Sequence, residues 1–395
     1  MGILSILFWI CLGIVFYTFI GYGLVMFFLI KIKRIFKKKN NQFNADFEPS
    51  VTLIIPAYNE EEFIDKKIEN TLTLDYPAEK LEIFVVTDGS TDSTPTKIRS
   101  HKRLRLFHED ARRGKTVAMN RCMKYVETSI VVFCDANTLL NREAIRKIAA
   151  HYSDPRVGGV AGEKKIITSN DEQAAGAGES IYWKYESALK RLDSEMFSVV
   201  GAAGELFSIR TELYEDLEED TILDDFMISL RVNLKGYRVI YEPEAFAMET
   251  SSASMREEQK RKIRICAGGI QSILRLIPLF NFIKHPWLTF EYISHRVLRW
   301  TITPFCLLLL VILNLILFNA NSFFKVTLIL QFIFYSLALI GWYLANKNIK
   351  VKALYIPYYF LFMNFSVFLG LIRFLKKDQS AVWERATRKV YNYNT

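Results

Sequence analysis

The sequence predicts an α/β domain built on parallel strands and fenced on both sides by membrane-spanning helices. Three observations predict it: two apolar runs that each end in aspartate, Ile83 to Asp88 and Ile130 to Asp135; an alternation of strand-like and helix-like segments from Val51; and uncharged stretches near both termini. Buried parallel strands read as continuous apolar runs, and acids at their carboxyl ends converge on the crevice where open α/β sheets bind ligands. A dry cluster of such acids needs a cation.

The N-terminal stretch comes first. Ile3 to Ile30 carries no charged residue, about 28 residues against the roughly 20 that span hydrocarbon as a helix, so residues 1–31 are predicted to be a transmembrane helix. A cleaved signal peptide would place its basic residues before a shorter apolar core, the reverse of this order. Lys31, Lys33, Arg34, Lys37, Lys38 and Lys39 follow the span and mark the cytoplasmic side, so the central domain is expected to face the cytosol after a basic linker over 32–50.

Composition narrows the partners. A content of 51% hydrophobic residues is too apolar for a soluble chain of 395 residues, and the excess sits in discrete runs. The net charge of +9 could suggest nucleic acid, but the basic clusters at 31–39, 256–264 and 373–389 lie at membrane borders, and the central domain lacks an aromatic-studded basic stripe. Anionic lipid is the expected partner and nucleic acid is not. Cysteines 11, 122, 134, 266 and 306 show no paired or metal-ligand spacing, which fits a reduced compartment and core packing.

In the central domain the strand candidates are Val51 to Pro56, Glu82 to Asp88, Leu104 to His108 and Ile130 to Asp135, with helical stretches at Glu61 to Leu74, from Asp92, and at Lys115 to Val126. Such alternation argues for parallel βαβ units, whose loops share one edge of the sheet. After the first strand, Pro56-Ala57-Tyr58-Asn59-Glu60 forces a turn and offers the Tyr58 ring to a base. After the second, Asp88-Gly89-Ser90-Thr91-Asp92 allows close approach of a ligand, with Asp88 an acceptor for a base or ribose. Arg113-Gly114-Lys115 opens a helix whose free amides and lysine suit phosphate, or are simply a solvated helix start.

Asp135-Ala136-Asn137 spaces two oxygen ligands for a hard cation such as Mg²⁺ or Mn²⁺, although Asn137 could equally cap a following helix. Asp224-Asp225 precedes an apolar helical pattern, where a cap and a catalytic pair both fit. From 256 to 300 the apolar positions 263, 266, 267, 270, 274 and 277 share one helical face, with Lys260, Arg264, Gln271 and Arg275 on another, which suits interfacial helices on the bilayer surface. Thr301 to Phe318, Phe323 to Ala345 and Ala353 to Ile372 then read as C-terminal membrane segments within 301–376, before a cytosolic tail at 377–395. Here charge conflicts with counting. Lys347, Lys350 and Lys352 on one flank of the last segment and Arg373 onward on the other are all basic, so it is either re-entrant, helped by Pro357, or followed by an exported tail.

These motifs, in this order and joined by Gly236-Tyr237-Arg238-Val239-Ile240-Tyr241-Glu242-Pro243, resemble the family 2 glycosyltransferases, specifically their membrane-embedded polysaccharide-synthase branch, related to hyaluronan, cellulose and poly-N-acetylglucosamine synthases. The resemblance is close from about Val51 to Gly268 and implies a GT-A, Rossmann-like domain over 51–255 that binds a nucleotide-diphosphate sugar, usually a UDP-sugar. It implies that Pro56, Tyr58, Glu60, Asp88, Lys115 and Asp135 bind the donor, that Asp135 and Asn137 hold Mg²⁺ or Mn²⁺, and that Asp225 is the general base beside Asp224. Asn137 stands where the family has a second aspartate, and Leu223-Asp224-Asp225 stands for Thr-Glu-Asp. Arg261-Lys262-Ile263-Arg264-Ile265 aligns with the Gln-x-x-Arg-Trp motif of processive members, which leaves Arg261 and Arg264 for the diphosphate but no aromatic platform at Ile265. Gly201-Ala202-Ala203-Gly204 is similar to the family's loop beneath the acceptor, and from the residues alone is as readily a tight turn.

The expected function is therefore an inverting transferase that extends a polysaccharide at a cell membrane, with coupling to export and accessory subunits left open. One alternative adds a single sugar to a lipid-linked acceptor, as the missing tryptophan suggests. Another is a catalytically weak membrane scaffold, suggested by Asn137 and Asp224.

Overall fold

The computed structural model describes residues 2–36, 44–167, 175–250, 254–347, 349 and 351–377. Lys37, Lys38 and Lys39 of the basic linker, Lys350 and the tail beyond Lys377 lie outside them.

The uncharged N-terminal run forms a continuous 34-residue helix, Ile3–Phe36. Within it α1 (Ile3–Phe16) passes through a π turn at Tyr17–Gly21 into α2 (Tyr22–Phe36). The helix outlasts the predicted span because its second half has protein to pack on, with Tyr22, Met26 and Ile30 all buried against Leu189 and Met196.

The central domain follows the expected alternation through its first half. β1 (Val51–Ala57), α3 (Ile64–Leu72), β2 (Leu81–Asp88), α4 (Thr94–Arg99), β3 (Leu104–Glu109), α5 (Lys115–Met123) and β4 (Ile130–Phe133) come in that order. These four strands lie side by side as β3-β2-β1-β4, all parallel, with Ile54 opposite both Phe84 and Phe133. Alternate side chains enter different cores: Ile54, Val86 and Phe133 pack on one face, while Leu53, Ile55, Val85 and Val132 pack on the other. Period-2 alternation with both faces apolar requires a helix layer on each side of the sheet.

The fourth strand stops at Phe133, so Asp135 sits in the turn beyond it rather than in the strand. The next element is a short strand, β5 (Leu139–Leu140), and not a helix, which removes the capping role considered for Asn137. α6 (Ala144–Ala150), β6 (Val157–Ile167), α7 (Ala175–Met196), β7 (Phe207–Arg210), α8 (Asp224–Leu234) and β8 (Arg238–Thr250) complete the domain. This half departs from the all-parallel expectation. The sheet continues β4-β7-β6-β8-β5, with β7 antiparallel to both β4 and β6, and β5 antiparallel to β8.

α9 (Met255–Arg275) leads into a 3₁₀ turn at Ile277–Phe280, α10 (Pro286–Tyr292), a π turn at Ile293–Val297, α11 (Leu298–Trp300), α12 (Ile302–Ile316), α13 (Ser322–Asn346) and α14 (Lys352–Leu375). α9 does not lie open on a bilayer with its whole apolar face. Cys266 to Gly269 are buried by protein, and only the end of that face is bare, at Leu274 and Ile277.

The N-terminal helix, α13 and α14 are each long and apolar enough to cross a membrane. α12 has 15 residues, about 22 Å at 1.5 Å per residue, and meets the length of a span only together with Pro286–Trp300, from which it is bent by 52°.

Candidate active site

The two loops after β1 and β2 are laced together. Asn59 adopts a left-handed conformation at φ 51°; its side-chain Oδ1 accepts the Thr91 amide at 2.9 Å while its backbone N–H donates to Ser90 Oγ at 3.2 Å. Asparagine tolerates this region because its short polar side chain bonds locally. Glu60 N–H donates to Thr94 Oγ1 at 2.9 Å, and the Glu60 side chain is buried. Arg112 lies over the Tyr58 ring with its guanidinium carbon 3.8 Å from the centroid. Its own Cβ fills the place a side chain at Gly89 would need, 2.6 Å from a Cβ built there.

Asp88, the last residue of β2, accepts the Arg113 amide at 3.0 Å and the Gly114 amide at 2.6 Å. Gly114 has φ 105°, open to glycine without strain, and the turn it makes starts α5 with Lys115 aimed inward. Thus Asp88 here organises the loop that presents Lys115.

Lys115 is the centre of the site. Its ammonium lies 3.0 Å from Asp135 Oδ1 and 3.2 Å from Asp224 Oδ2. The Asp224 contact is an ion pair without hydrogen-bond geometry, since the same oxygen is buried with no hydrogen-bond partner. Asp225 is next to it: a Cβ placed on Gly204 would sit 3.3 Å from Asp225 Oδ2 and 3.5 Å from the lysine nitrogen. Residues Lys115, Thr116, Asp135, Thr221, Ile222, Asp224 and Arg264 line a cavity of about 60 Å³ at this point.

Crowded carboxylates titrate apart. Burial and then the Asp224 charge push the Asp225 acid up to about 7, Lys115 only partly opposing them. Burial likewise raises Asp135, against the pull of Lys115. Burial works against the charge on Lys115, but Asp135, Asp224 and Asp225 overcome it and leave the ammonium well above its ordinary value.

Of the residues expected from sequence, Lys115, Asp135, Asp224, Asp225, Gly204 and Arg264 come together here. Tyr58, Glu60 and Asp88 gather along the neighbouring loops. Others do not join the cavity. Pro56 is a buried residue of β1 paired with Val86. Arg261 turns to Glu258 at 3.0 Å. Gly201 is a turn residue at φ 93° pressed on the Phe226 ring, and of the two glycines expected near an acceptor only Gly204 lies beside Asp225. No sequence pattern points to Thr116, Thr221 or Ile222. The same holds for Glu205, held by Lys164 and adding its negative field to Asp225. Its one sequence signal is position, directly after Gly204.

Asn137 is half-buried in a turn closed by the Thr138 hydroxyl on the Asp135 carbonyl at 2.9 Å, and its amide makes no hydrogen bond among the described residues. No group of three or more acidic, histidine or cysteine side chains converges as a complete metal cage among the described residues. Two hard oxygens, Asp135 and Asn137, fit a cation that completes its shell with phosphate and water, as Mg²⁺ does.

Residues 52–217 match the sequence profile of glycosyl transferase family 2. This segment is a family 2 glycosyltransferase domain. The chain is 27% identical over 261 residues to the poly-beta-1,6-N-acetyl-D-glucosamine synthase of Staphylococcus aureus and 24% identical to that of Staphylococcus epidermidis. Each match takes in 64% of this chain and 62% of the relative's length. In fold, the chain resembles the mannosyltransferase PcManGT from Pyrobaculum calidifontis, solved with GDP-Man and Mn²⁺, at a TM-score of 0.70 and 24% identity, covering 94% of this chain and all of that one. The likeness includes the helices on both sides of the family 2 domain, so the GT-A fold and its apolar flanks belong to one architecture.

Proposed function

We propose that the chain is an inverting glycosyltransferase that moves a sugar from a nucleoside diphosphate sugar, a UDP-sugar in the first instance, to a growing polysaccharide, with its family 2 domain on the cytosolic side of the cell membrane. The observation that carries this is the Asp225 carboxyl, poised at about 7 beside the Lys115, Asp135 and Asp224 cluster. A general base works best with a value near the operating pH.

The acceptor hydroxyl attacks the anomeric carbon and gives its proton to Asp225, while the bond from that carbon to the diphosphate oxygen breaks and its electron pair leaves with the diphosphate. Single displacement inverts the configuration. Lys115 and Arg264 both line the cavity and supply positive charge for the departing phosphates. Asp135 and Asn137 would hold Mg²⁺ or Mn²⁺, which when bound neutralises charge on the diphosphate. Gly204, lacking a side chain, leaves room for the acceptor above Asp225.

A second reading, addition of one sugar to a lipid-linked acceptor, is favoured by one feature. An apolar cavity of about 600 Å³ between α12, α13 and α14 has Arg256 and Gln259 at its α9 wall. Purified protein in lipid nanodiscs, given a panel of nucleotide sugars with Mg²⁺ or Mn²⁺, tests both: release of nucleoside diphosphate identifies the donor, and product length separates extension from single addition. No release with any donor would overturn the enzymatic reading and leave the scaffold.

A further inference from the structure

α14 has the length and hydropathy of a membrane span, yet its contacts with the N-terminal helix and α12 fall close to one level. The Thr18 and Thr303 hydroxyls bond at 2.9 Å and tie the N-terminal helix to the start of α12, which marks a height shared by both helices. Phe19, one residue on, packs against Phe360 with centroids 4.9 Å apart. Phe305, two residues past Thr303, packs edge-on against Phe368 at 5.0 Å. Eight residues of α14 separate these two contacts, about 12 Å of helix. A helix standing upright would carry one of them that far from the other in depth. Both partners lie within two residues of the Thr18–Thr303 bond.

The helix on its other side repeats the point. α9 runs alongside α14 in the same direction: Tyr355 OH reaches Met255 Sδ at 2.7 Å, Tyr359 OH reaches Glu258 Oε1 at 3.2 Å, and a Cβ at Gly370 would lie 2.6 Å from Cys266 Cβ. From Met255 to Arg264, α9 has seven charged residues in ten, a density hydrocarbon does not accept. Gly268 of the same helix presses on Ile222 and Leu223, the approach to Asp224, so α9 belongs with the catalytic domain. A helix that tracks α9 from end to end stays outside the membrane core with it.

We propose that α14 is a membrane-surface helix and not a span: it lies along the cytosolic lipid face, beneath the ends of α1, α12 and α13, with the anionic headgroups of that leaflet as its partner. The cytosolic sense rests on the orientation proposed above for the catalytic domain. Ile356, Phe365 and Ile372 are exposed and apolar, which suits acyl chains, while Arg373, Lys376 and Lys377 at its end suit headgroups. Both basic flanks then share one side, and the conflict between charge and segment counting disappears because the chain crosses outward through α12 and returns through α13 without a further crossing.

Single cysteines at Ile349, Lys376 and the α12–α13 loop residue Asn319, all exposed, test this in intact cells expressing the full chain with a membrane-impermeant maleimide. The native cysteines among the described residues are buried. The expected result is labelling at Asn319→Cys from outside, with Ile349→Cys and Lys376→Cys protected together until the membrane is opened. Labelling of Lys376→Cys but not Ile349→Cys in intact cells makes α14 a span and overturns the proposal. If both flanks label from outside while Asn319→Cys is protected, α14 is a surface helix on the other leaflet, and it is the cytosolic orientation that fails. Depth-dependent quenching of a fluorophore at Ile356→Cys and Phe365→Cys gives an independent reading: equal shallow depth supports a surface helix, and a difference near the roughly 13 Å of intervening helix refutes it.

Discussion

Two clusters of buried charge, one at the candidate catalytic cavity and one where α7 meets the π turn at Ile293–Val297, α11 and the N-terminal helix, use the same ingredients to opposite ends. In the second, Glu186 receives Arg296 at 2.6 Å, Arg299 at 2.9 Å and His295 at 3.2 Å, and Asp193 takes the other nitrogen of His295 at 2.5 Å and the Tyr22 hydroxyl at 2.5 Å. Cations surround the acid, and although burial alone would raise it, they hold the Glu186 carboxyl well below the ordinary range. At the cavity the balance is reversed. Lys115 is shared among three aspartates, and Asp225 rises to about 7. An acid ringed by cations, as Glu186 is, serves structure, and an acid left short of them, as Asp225 is, can take a proton.

The largest expected effect breaks the second kind. Asp225→Asn should lower turnover by roughly 10²–10⁴-fold, the usual worth of general base catalysis, in a sugar-transfer assay on purified protein. Thermal stability should not fall with it. An acid raised in the folded state costs stability as pH climbs through about 7, so above that pH the asparagine variant should melt no lower than the parent.

Glu186→Ala is the converse test. Removing one member of a buried, paired network costs about 3–5 kcal/mol, seen as a lower melting temperature in detergent, while activity per folded molecule changes little. Because the Glu186 acid is depressed, the stabilisation it brings is present above its unfolded value near pH 4 and lost as pH falls further. The gap between parent and variant should therefore close in acid.

A third measurement sharpens the contrast without mutation. In the donor-free protein, kcat/KM should climb tenfold per pH unit below about 7 and level above it, because Asp225 must be ionised to accept the proton. The smallest effect is expected of Gly204→Ala, whose new methyl would sit 3.3 Å from Asp225 Oδ2. It should raise the acceptor KM a few-fold and leave the melting temperature in place.

The sequence discloses the catalytic cluster better than the structural one, for physical reasons. Asp88, Lys115, Asp135 and Asp224 lie at strand ends or helix starts, where period and turn chemistry announce a shared edge. Glu186, Asp193 and His295 are lone polar residues on helices distant in sequence, and nothing local says that tertiary packing joins them. The parallel half of the sheet is legible from apolar runs. The antiparallel insertion of β7 between β4 and β6 is not, since a four-residue strand carries too few side chains to declare direction. Asn137 reads as a cap or a ligand, and the cap fails because a strand comes after it. Arg261, expected at the diphosphate, shares a helix face with Arg264 and is drawn off by a neighbour on that helix. It sits three positions before Arg264, and its fork is captured by Glu258 one turn back.

The Arg112 plane resting on Tyr58 has one more effect. A flat group that comes to this ring has to displace the guanidinium first, so the aromatic contact there is exchanged instead of added.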